Sequence, residues 1–279
     1  MSYKTLVVHL DDGARCAARV ALAGRLAGQF GARLVGVAAT GLPDVIVTMN
    51  SAVPDGVECI VLSAAQLRAQ ADAAALAFEK QCAAAGTASF ESRVVVSEAV
   101  DAVVRQGRCS DLVIVGQTDR NATPDGVAFD FPQQVLLHTG TPTLVVPHAG
   151  SFTSLGRRVL VAWKEVRESS RAIRDALPLL RSAEVVALCA VAQGEAEPPE
   201  DDPFDAVVAW LGSHGIRPAT HVEAAGADVG DRLLSRAADF GADLIVCGGY
   251  GHSRLREWVL GGTTRHLLEH MTVPTLLSH

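Results

Sequence analysis

The sequence repeats itself at a fixed spacing, and this repeat limits the possible folds more than any other feature. Segments 111–116 and 243–248 each read as an aspartate, four apolar residues and a glycine, and they lie 132 positions apart. Segments 141–144 and 273–276 match at the same spacing, so the register holds without a gap between these two pairs. In a chain of 279 residues, such a repeat predicts two copies of one domain.

The two copies differ in length after their second strand. Leu6–Asp11 matches Val159–Lys164 at a spacing of 153, which exceeds the later spacing of 132. The first copy therefore contains about 21 additional residues. Residues 41–63 hold two prolines and an Asp55-Gly56 pair, which are turn-forming signals. We expect the insertion there and the following helix over Ala64–Ala85.

Each copy alternates short apolar runs with Ala-rich stretches of helical length. Strands that are apolar on both faces and separated by helices predict a parallel sheet covered by helices. Right-handed crossovers make such a sheet doubly wound. The predicted fold class is α/β, with two repeated doubly wound domains, each with a mostly parallel five-stranded sheet. The predicted domains are residues 1–148 and 157–279, joined by a Gly- and Ser-rich linker over 149–156.

Composition excludes several classes of function. The net charge of −7 argues against nucleic-acid binding that depends on neutralising phosphate charges. The longest stretch without charged residues, Phe131–Gly156, holds three prolines and three glycines, so no membrane span is expected. The short apolar run at the start does not resemble a secretory signal. Six cysteines without a C-x-x-C pair are expected to be reduced, and the predicted location is cytoplasmic.

One glycine-rich segment of the second copy, Gly248–Thr264, directly follows its predicted fourth strand. Glycines let the backbone approach a bound group closely and present free N–H donors. A helix that starts near Gly262 or Thr263 would add further N–H groups and a partial positive charge. These features point to a phosphate site, and a glycine-rich turn without a ligand is the alternative.

The glycine spacing resembles the ATP-binding loop of the universal stress protein family. Gly248, Gly251 and Gly261 form the pattern G-x-x-G, nine residues, then G, after a fourth strand. The resemblance covers both halves, and tandem domains are a known layout of this stress-response family. It implies ATP or a related adenine nucleotide as ligand, accompanied at most by Mg²⁺. The predicted cofactor-binding residues are Gly248, Gly251, Gly261, Gly262, Thr263 and Thr264. The family usually has Ser or Thr where this chain has Gly262.

The resemblance also implies that each copy keeps only part of the site. An aspartate at the end of the first strand helps to hold adenosine, and the first copy has Asp11 there, whereas the second has Lys164. In the first copy, Asp119 and Asp130 fall within the degenerate loop, and Pro132 removes a helix N-terminal donor. Carboxylates repel a polyphosphate. We therefore expect ATP in the second copy and not in the first.

No catalytic constellation is visible. The sequence has no G-x-S-x-G and no Walker-type loop, so slow ATP hydrolysis is the most that an enzyme hypothesis supports. His266 and His270 stand four apart, but two ligands alone make a weak metal site, and none is predicted. His252 within the loop could touch a phosphate or be a plain loop residue, and Arg254 and Arg256 could steer anions or be solvated.

Three hypotheses about function remain. A nucleotide-responsive binding module is favoured by the glycine loop. A ligand-independent interaction or scaffold protein is favoured by Lys164 and the degenerate first loop. An enzyme rests on analogy of fold alone. Through the short last strands of each copy, we further expect the halves to pair as a pseudo-dimer, with a homodimer and an unknown protein partner as additional expectations.

Overall fold

The computed structural model describes residues 2–41, 54–118, 130–191, 202–223, 229–251 and 262–279, with side chains of the second helix described from residue 64 onward. The chain divides into two compact units, residues 2–141 and 142–279. The predicted boundary in the linker 149–156 stays a prediction. These eight residues form neither helix nor strand.

The first unit is an alternation of strands and helices. Its elements are β1 Thr5–Leu10, α1 Cys16–Phe30, β2 Arg33–Ala39, α2 Pro54–Ala84, β3 Phe90–Val95, α3 Ala99–Gly107, β4 Leu112–Gly116 and α4 Phe131–Thr139. The strands lie in the order β3-β2-β1-β4, and the described pairings are parallel. Parallel neighbours bring the carboxyl ends of these strands to one edge of the sheet.

The second unit repeats this order behind one additional strand. Its elements are β5 Thr143–Val146, β6 Arg158–Ala162, α5 Arg167–Ser182, β7 Val185–Val191, α6 Asp205–Ser213, β8 Ala219–Glu223, α7 Val229–Phe240, β9 Leu244–Gly248, α8 Gly262–His270 and β10 Thr275–Ser278. The strand order is β5-β10-β9-β6-β7-β8, and the β5–β10 pair alone is antiparallel among the described pairings. Leu144 pairs with Leu276, its equivalent in the repeat.

The strand cores explain why these apolar runs form a sheet. The side chains of β1, β4, β6 and β9 are almost all buried, which removes apolar surface from water on both faces of each strand. The α/β prediction with a mostly parallel sheet is confirmed, and β1–β5 and β6–β10 follow the predicted order along the chain.

One predicted boundary was wrong. Helix α2 begins at Pro54, ten residues before the expected start at Ala64. The turn signals Pro54 and Asp55-Gly56 lie in its first turn, where proline is tolerated because that position has no helical partner for an N–H. The remainder of the predicted insertion, residues 42–53, lies outside the described residues.

The aspartates that open the repeated motif have the same structural role in both copies. Asp111 Oδ2 accepts hydrogen bonds from the backbone N–H groups of Lys4 and Thr5, at 2.6 and 2.8 Å. Asp243 accepts from the N–H groups of Arg157 and Arg158, at 3.1 and 2.9 Å. Each carboxylate thus links the start of the fourth strand of its copy to the start of the first.

Candidate functional site

The second-copy loop begins with a tight backbone contact. Gly248 is the last residue of β9, and a Cβ built there would lie 2.7 Å from both the carbonyl carbon of Glu168 and the nitrogen of Ser169. Such a contact is sterically excluded, so this position requires glycine for packing against α5 whether or not a ligand binds. The N–H of Gly249 donates to the Ser278 carbonyl at 2.8 Å, which fixes the loop to β10.

The described part of the loop is held in shape by Tyr250 and Thr264. Tyr250 is buried and has a φ of 53°, a left-handed conformation that is uncommon for a residue other than glycine. Its N–H donates to Thr264 Oγ1 at 3.4 Å, and Thr264 is itself buried on α8. The hydroxyl predicted to contact a nucleotide therefore bonds to the loop backbone.

Gly251 and Gly262 are the exposed members of the predicted site. Gly262 is the first residue of α8, and a Cβ built there would meet nothing within 4 Å. Thr263 follows in the first turn, half-buried. The start of a helix offers backbone N–H groups and a positive dipole end to an anion. Gly261 and His252, together with Arg254 and Arg256, lie outside the described residues.

Lys164 follows β6 and is exposed to solvent. Its carbonyl oxygen accepts a hydrogen bond from the N–H of Val166 at 2.7 Å, so the chain turns sharply before α5. The neighbouring Trp163 is fixed by its indole N–H, which donates to the Pro203 carbonyl at 2.8 Å. The second copy thus presents an ammonium at the strand end where the family resemblance implies an aspartate.

The first copy has a different arrangement at the matching strand end. Arg19 on α1 is buried, with 4% of its side chain exposed, and its Nη2 donates to Asp11 Oδ2 at 2.6 Å. Its Nε donates to the His9 carbonyl at 2.9 Å. Burial alone would raise the pKa of Asp11, but the charges of Arg19 and His9 and the bonds from Arg19 and Gly13 lower it below its usual value. Asp11 is therefore an ionised, partly exposed carboxylate that pairs with a buried arginine.

Arg19 and Phe131 fill the space at the carboxyl ends of β1 and β4. A Cβ built on Gly116 would lie 2.4 Å from Arg19 Nη1, so the guanidinium lies directly on the residue that matches Gly248. The ring of Phe131, which matches Thr263, packs on the His9 ring with centroids 4.6 Å apart. Burial lowers the pKa of His9 to about 4; the charge of Asp11 opposes this shift, and the charge of Arg19 adds to it.

The sequence reasoning missed both Arg19 and Glu168. A signal for Arg19 was present, because this arginine lies among buried residues such as Val20 and Leu22 on α1. A lone cation on an apolar helix face needs a partner, and Asp11 is the nearest acid to the preceding strand end. For Glu168, which is buried beside the exposed Arg167 and the buried Ser169, no comparable pattern exists in the sequence.

Two cavities open near Asp11 in the first unit. One, of about 460 Å³, is lined by α1, α2 and the turn that precedes α1, with Asp11, Asp12, Gln70 and Gln81 among its polar residues. The other, of about 100 Å³, lies at the ends of β1 and β2 and is lined in part by His9, Thr40 and Gly41. The larger volume falls in the range of small-molecule pockets.

The histidine pair on α8 is engaged in the fold. The rings of His266 and His270 stack with centroids 4.2 Å apart, and His266 Nε2 lies 2.7 Å from Asp231 Oδ1 on α7. Among the residues that the structure describes, no group of three or more His, Cys, Asp or Glu side chains could hold a metal ion. Within the same ranges, every helix is too short or too polar to span a membrane.

Comparisons with known proteins agree with this architecture. A sequence model described as the Universal stress protein family matches residues 156–279. A search of curated proteins found no significant match. A universal stress protein from Archaeoglobus fulgidus is 15% identical, aligns with 98% of this chain and 95% of its own, and has a TM-score of 0.71. A functionally unknown protein from Pseudomonas aeruginosa PAO1 is 14% identical over 99% of this chain and 92% of its own, with a TM-score of 0.64.

A third match is a shorter structure. It is the universal stress protein from Archaeoglobus fulgidus in complex with dAMP, 20% identical over 43% of this chain and 95% of its own, with a TM-score of 0.33. The two longer matches show that the fold extends over nearly the whole chain. Residues 156–279 therefore match the Universal stress protein family, and the fold shared with the two longer structures extends over the first half as well.

Proposed function

We propose that this protein is a stress-response module that binds an adenine nucleotide in its second copy, with the phosphates at the loop that follows β9. The observation that carries the proposal is the placement of Gly248 and Gly251 at the carboxyl end of β9, in the domain that matches the family model. Ligands of doubly wound sheets bind at this edge. The start of α8, with exposed Gly262 and half-buried Thr263, supplies further N–H donors in the same motif.

The loop is partly preorganised for such a ligand. The bond from Tyr250 to Thr264 and the bond from Gly249 to Ser278 fix the backbone at the described start of the loop before any ligand arrives. A loop that is already ordered loses less conformational entropy on binding. The Thr264 hydroxyl is therefore a positioning group, and direct contacts to phosphate are proposed for backbone N–H groups from Gly251 and Thr263.

The first copy is proposed not to bind ATP in the same manner. The Arg19 guanidinium covers Gly116, and Asp11, the residue that would hold adenosine, is bonded to Arg19. The Phe131 ring lies against His9 where the second copy has a helix N-terminal threonine. A nucleotide that displaced Arg19 from Asp11 would leave a buried guanidinium without this partner, which is unfavourable.

Isothermal titration of ATP and of cyclic AMP into the full chain and into Gly251→Asp tests the site. Gly251 is exposed and its φ is not positive, so its backbone accepts a side chain. Since a Cβ there would lie 3.6 Å from Glu168 Oε2, thermal unfolding of the variant must first show that it folds. A matched control is Gly212→Asp, an exposed glycine of α6 in the same unit with open space around it. We expect binding to be lost in Gly251→Asp and retained in Gly212→Asp. Absence of binding of both ATP and cyclic AMP to the unchanged protein at millimolar concentration would refute the proposal.

A second candidate function is a ligand-independent interaction protein. Lys164 at the end of β6 and the buried Arg19–Asp11 pair favour it, because both replace groups that would hold a nucleotide. Under this alternative the same titration shows no binding. A cytoplasmic location, a pseudo-dimer of the two copies, a homodimer and a protein partner stay predictions.

A further inference from the structure

The first unit contains a cavity of about 460 Å³ beside the carboxyl end of β1. It is bounded by the turn 11–14, by the start of α1 and by residues 70–81 of α2. No residue of β4 is among its described lining residues, so the cavity lies apart from the strand end where the family motif places phosphates. Its volume falls in the range of small-molecule pockets, and the proposed nucleotide site lies in the other unit.

Small side chains line this cavity from both helices. The helix α1 contributes Ala17, and α2 contributes Ala73, Ala74 and Ala77. The two helices are tied together at this level, because Gln81 Nε2 on α2 donates a hydrogen bond to the Ala17 carbonyl at 2.8 Å. The cavity thus has a defined shape, and its alanine side chains are too short to fill it.

The inner lining of the cavity is apolar. Val20 and Phe78 both line it, and only 3% and 1% of their surfaces are exposed. An apolar ligand gains free energy when it leaves water for such a surface. A charged group placed there without a partner would lose its hydration, which is strongly unfavourable. The lining therefore selects an uncharged ligand body.

The polar groups of the lining include two carboxylates and an amide, from Asp11, Asp12 and Gln70. Asp11 is engaged within the fold, because it accepts hydrogen bonds from the Arg19 side chain at 2.6 Å and from the N–H of Gly13 at 3.0 Å. Asp12 is exposed at the same turn. An ionised carboxylate can only accept hydrogen bonds, so the matching group on a ligand is an N–H or O–H donor.

The cavity depends on features that the second copy does not repeat. At the spacing of 153 that relates the starts of the copies, Ala14 corresponds to Arg167 and Ala17 to Ser170. The helix α2 has 31 residues, whereas its counterpart α6 has nine. Both walls of the cavity therefore differ between the copies, and the difference is found in the copy that is proposed not to bind ATP.

We propose that this cavity binds an uncharged ring compound that carries an N–H or O–H donor, such as an aromatic amine or a phenol. The ring system packs on the alanines and on Val20 and Phe78, and the donor bonds to the carboxylate of Asp12. This site goes beyond the proposed function, because it lies in the first unit and takes a ligand without phosphate. Each copy then has a ligand class of its own.

The test titrates N-phenyl-1-naphthylamine, an uncharged aromatic amine whose fluorescence rises in apolar surroundings, into the full chain and into Ala77→Leu. Ala77 is exposed on a helix, where leucine is well tolerated, and the larger side chain occupies part of the cavity. We expect saturable binding to the unchanged chain and a Kd at least about tenfold higher in the variant. The matched control is Ala69→Leu, an exposed position of α2 outside the lining, with an unchanged Kd.

A second variant tests the donor. Asp12→Ala removes the exposed acceptor and should raise the Kd of the amine by about fivefold, the effect of one hydrogen bond. An unchanged Kd in this variant would overturn the assignment of the donor to Asp12. Titration in the presence of millimolar ATP separates the two sites, and we expect the Kd of the amine to be unaffected.

The remaining outcomes decide the inference. Absence of saturable binding to the unchanged chain would overturn it, as would equal Kd values in the unchanged chain and in Ala77→Leu. Equal losses in Ala77→Leu and Ala69→Leu would indicate a general effect on α2 and would also overturn it. Displacement of the amine by ATP would place it in the nucleotide site, with the same consequence. If Ala77→Leu does not fold, Ala73→Leu at the second exposed alanine of the lining takes its place.

Discussion

The two copies place opposite charges at equivalent strand ends. In the first copy a buried arginine, Arg19, is paired with Asp11 at the end of β1. In the second copy the matching positions hold a buried alanine and an exposed lysine, Ala172 and Lys164, and the buried acid is Glu168. Where one copy lacks the buried cation, it also lacks the acid that pairs with that cation. This is expected because a lone charge removed from water is strongly unfavourable.

The largest effect on stability is expected when the Arg19–Asp11 pair of the first copy is broken. Arg19→Ala removes the cation from Asp11 and leaves the His9 carbonyl without this donor, so we expect a loss of about 4 kcal/mol in the free energy of unfolding. Urea denaturation measures it. The matched control is Arg25→Ala, an exposed arginine of the same helix, with a change within about 0.5 kcal/mol. Equal effects of the two substitutions would show that the buried pair contributes nothing to stability.

A second prediction concerns acid sensitivity of the first copy. Burial lowers the pKa of His9 from 6.5 to about 4, so between these values the unfolded chain binds a proton that the folded chain does not. Stability must therefore fall as the pH drops through this window, by about 3 kcal/mol. The lowered pKa of Asp11 affects stability only at pH values below the usual titration range of an aspartate. In the second copy, the position that matches His9 holds Ala162, which does not titrate.

Urea denaturation at pH 7 and pH 4.5 of the unchanged chain and of His9→Gln measures this effect. The substitution should flatten the dependence on pH, because the amide does not titrate. Parallel pH dependences in the two proteins would contradict a buried neutral His9 and place the acid sensitivity elsewhere.

The smallest effects on stability are expected at the matching glycines of the two copies, Gly248 and Gly116. Gly248→Ala places a methyl against the backbone of Glu168, and we expect a loss of about 2 kcal/mol. Gly116→Ala meets the end of the Arg19 side chain, which can shift more easily, so a loss of about 1 kcal/mol is expected. Thermal unfolding of both variants measures the difference. A larger effect at Gly116 would mean that the Arg19 guanidinium is held as firmly as backbone.

The fold could be predicted from the sequence because the repeat and the buried strands are local and periodic signals. The aspartates Asp111 and Asp243 were found as part of the repeat, although their bonds to the first strand became apparent only in the structure. The start of α2 was misplaced because Pro54 and the adjoining Asp-Gly pair carry the same local signals in a turn as in the first turn of a helix.

The candidate site could be predicted only in part. The glycines Gly248 and Gly251 were recognised by spacing, but the spacing does not say that Gly248 is also required for packing on α5. The roles of Arg19 and Glu168 depend on burial, which is decided by residues far away in the sequence. A charged residue in a helix is usually solvated, so its type alone does not indicate an ion pair or a loop contact.

The aspartate bonds at the amino ends of the strands have a consequence for how such a duplicated protein can change. Asp111 and Asp243 fix the register of the fourth strand to the first at the edge opposite the proposed ligand site. The determinants of assembly and of ligand choice are therefore spatially separate within each copy. Mutations can accumulate at the carboxyl edge while the amino edge preserves the sheet, so after duplication one copy is free to acquire a new specificity while the other conserves the scaffold.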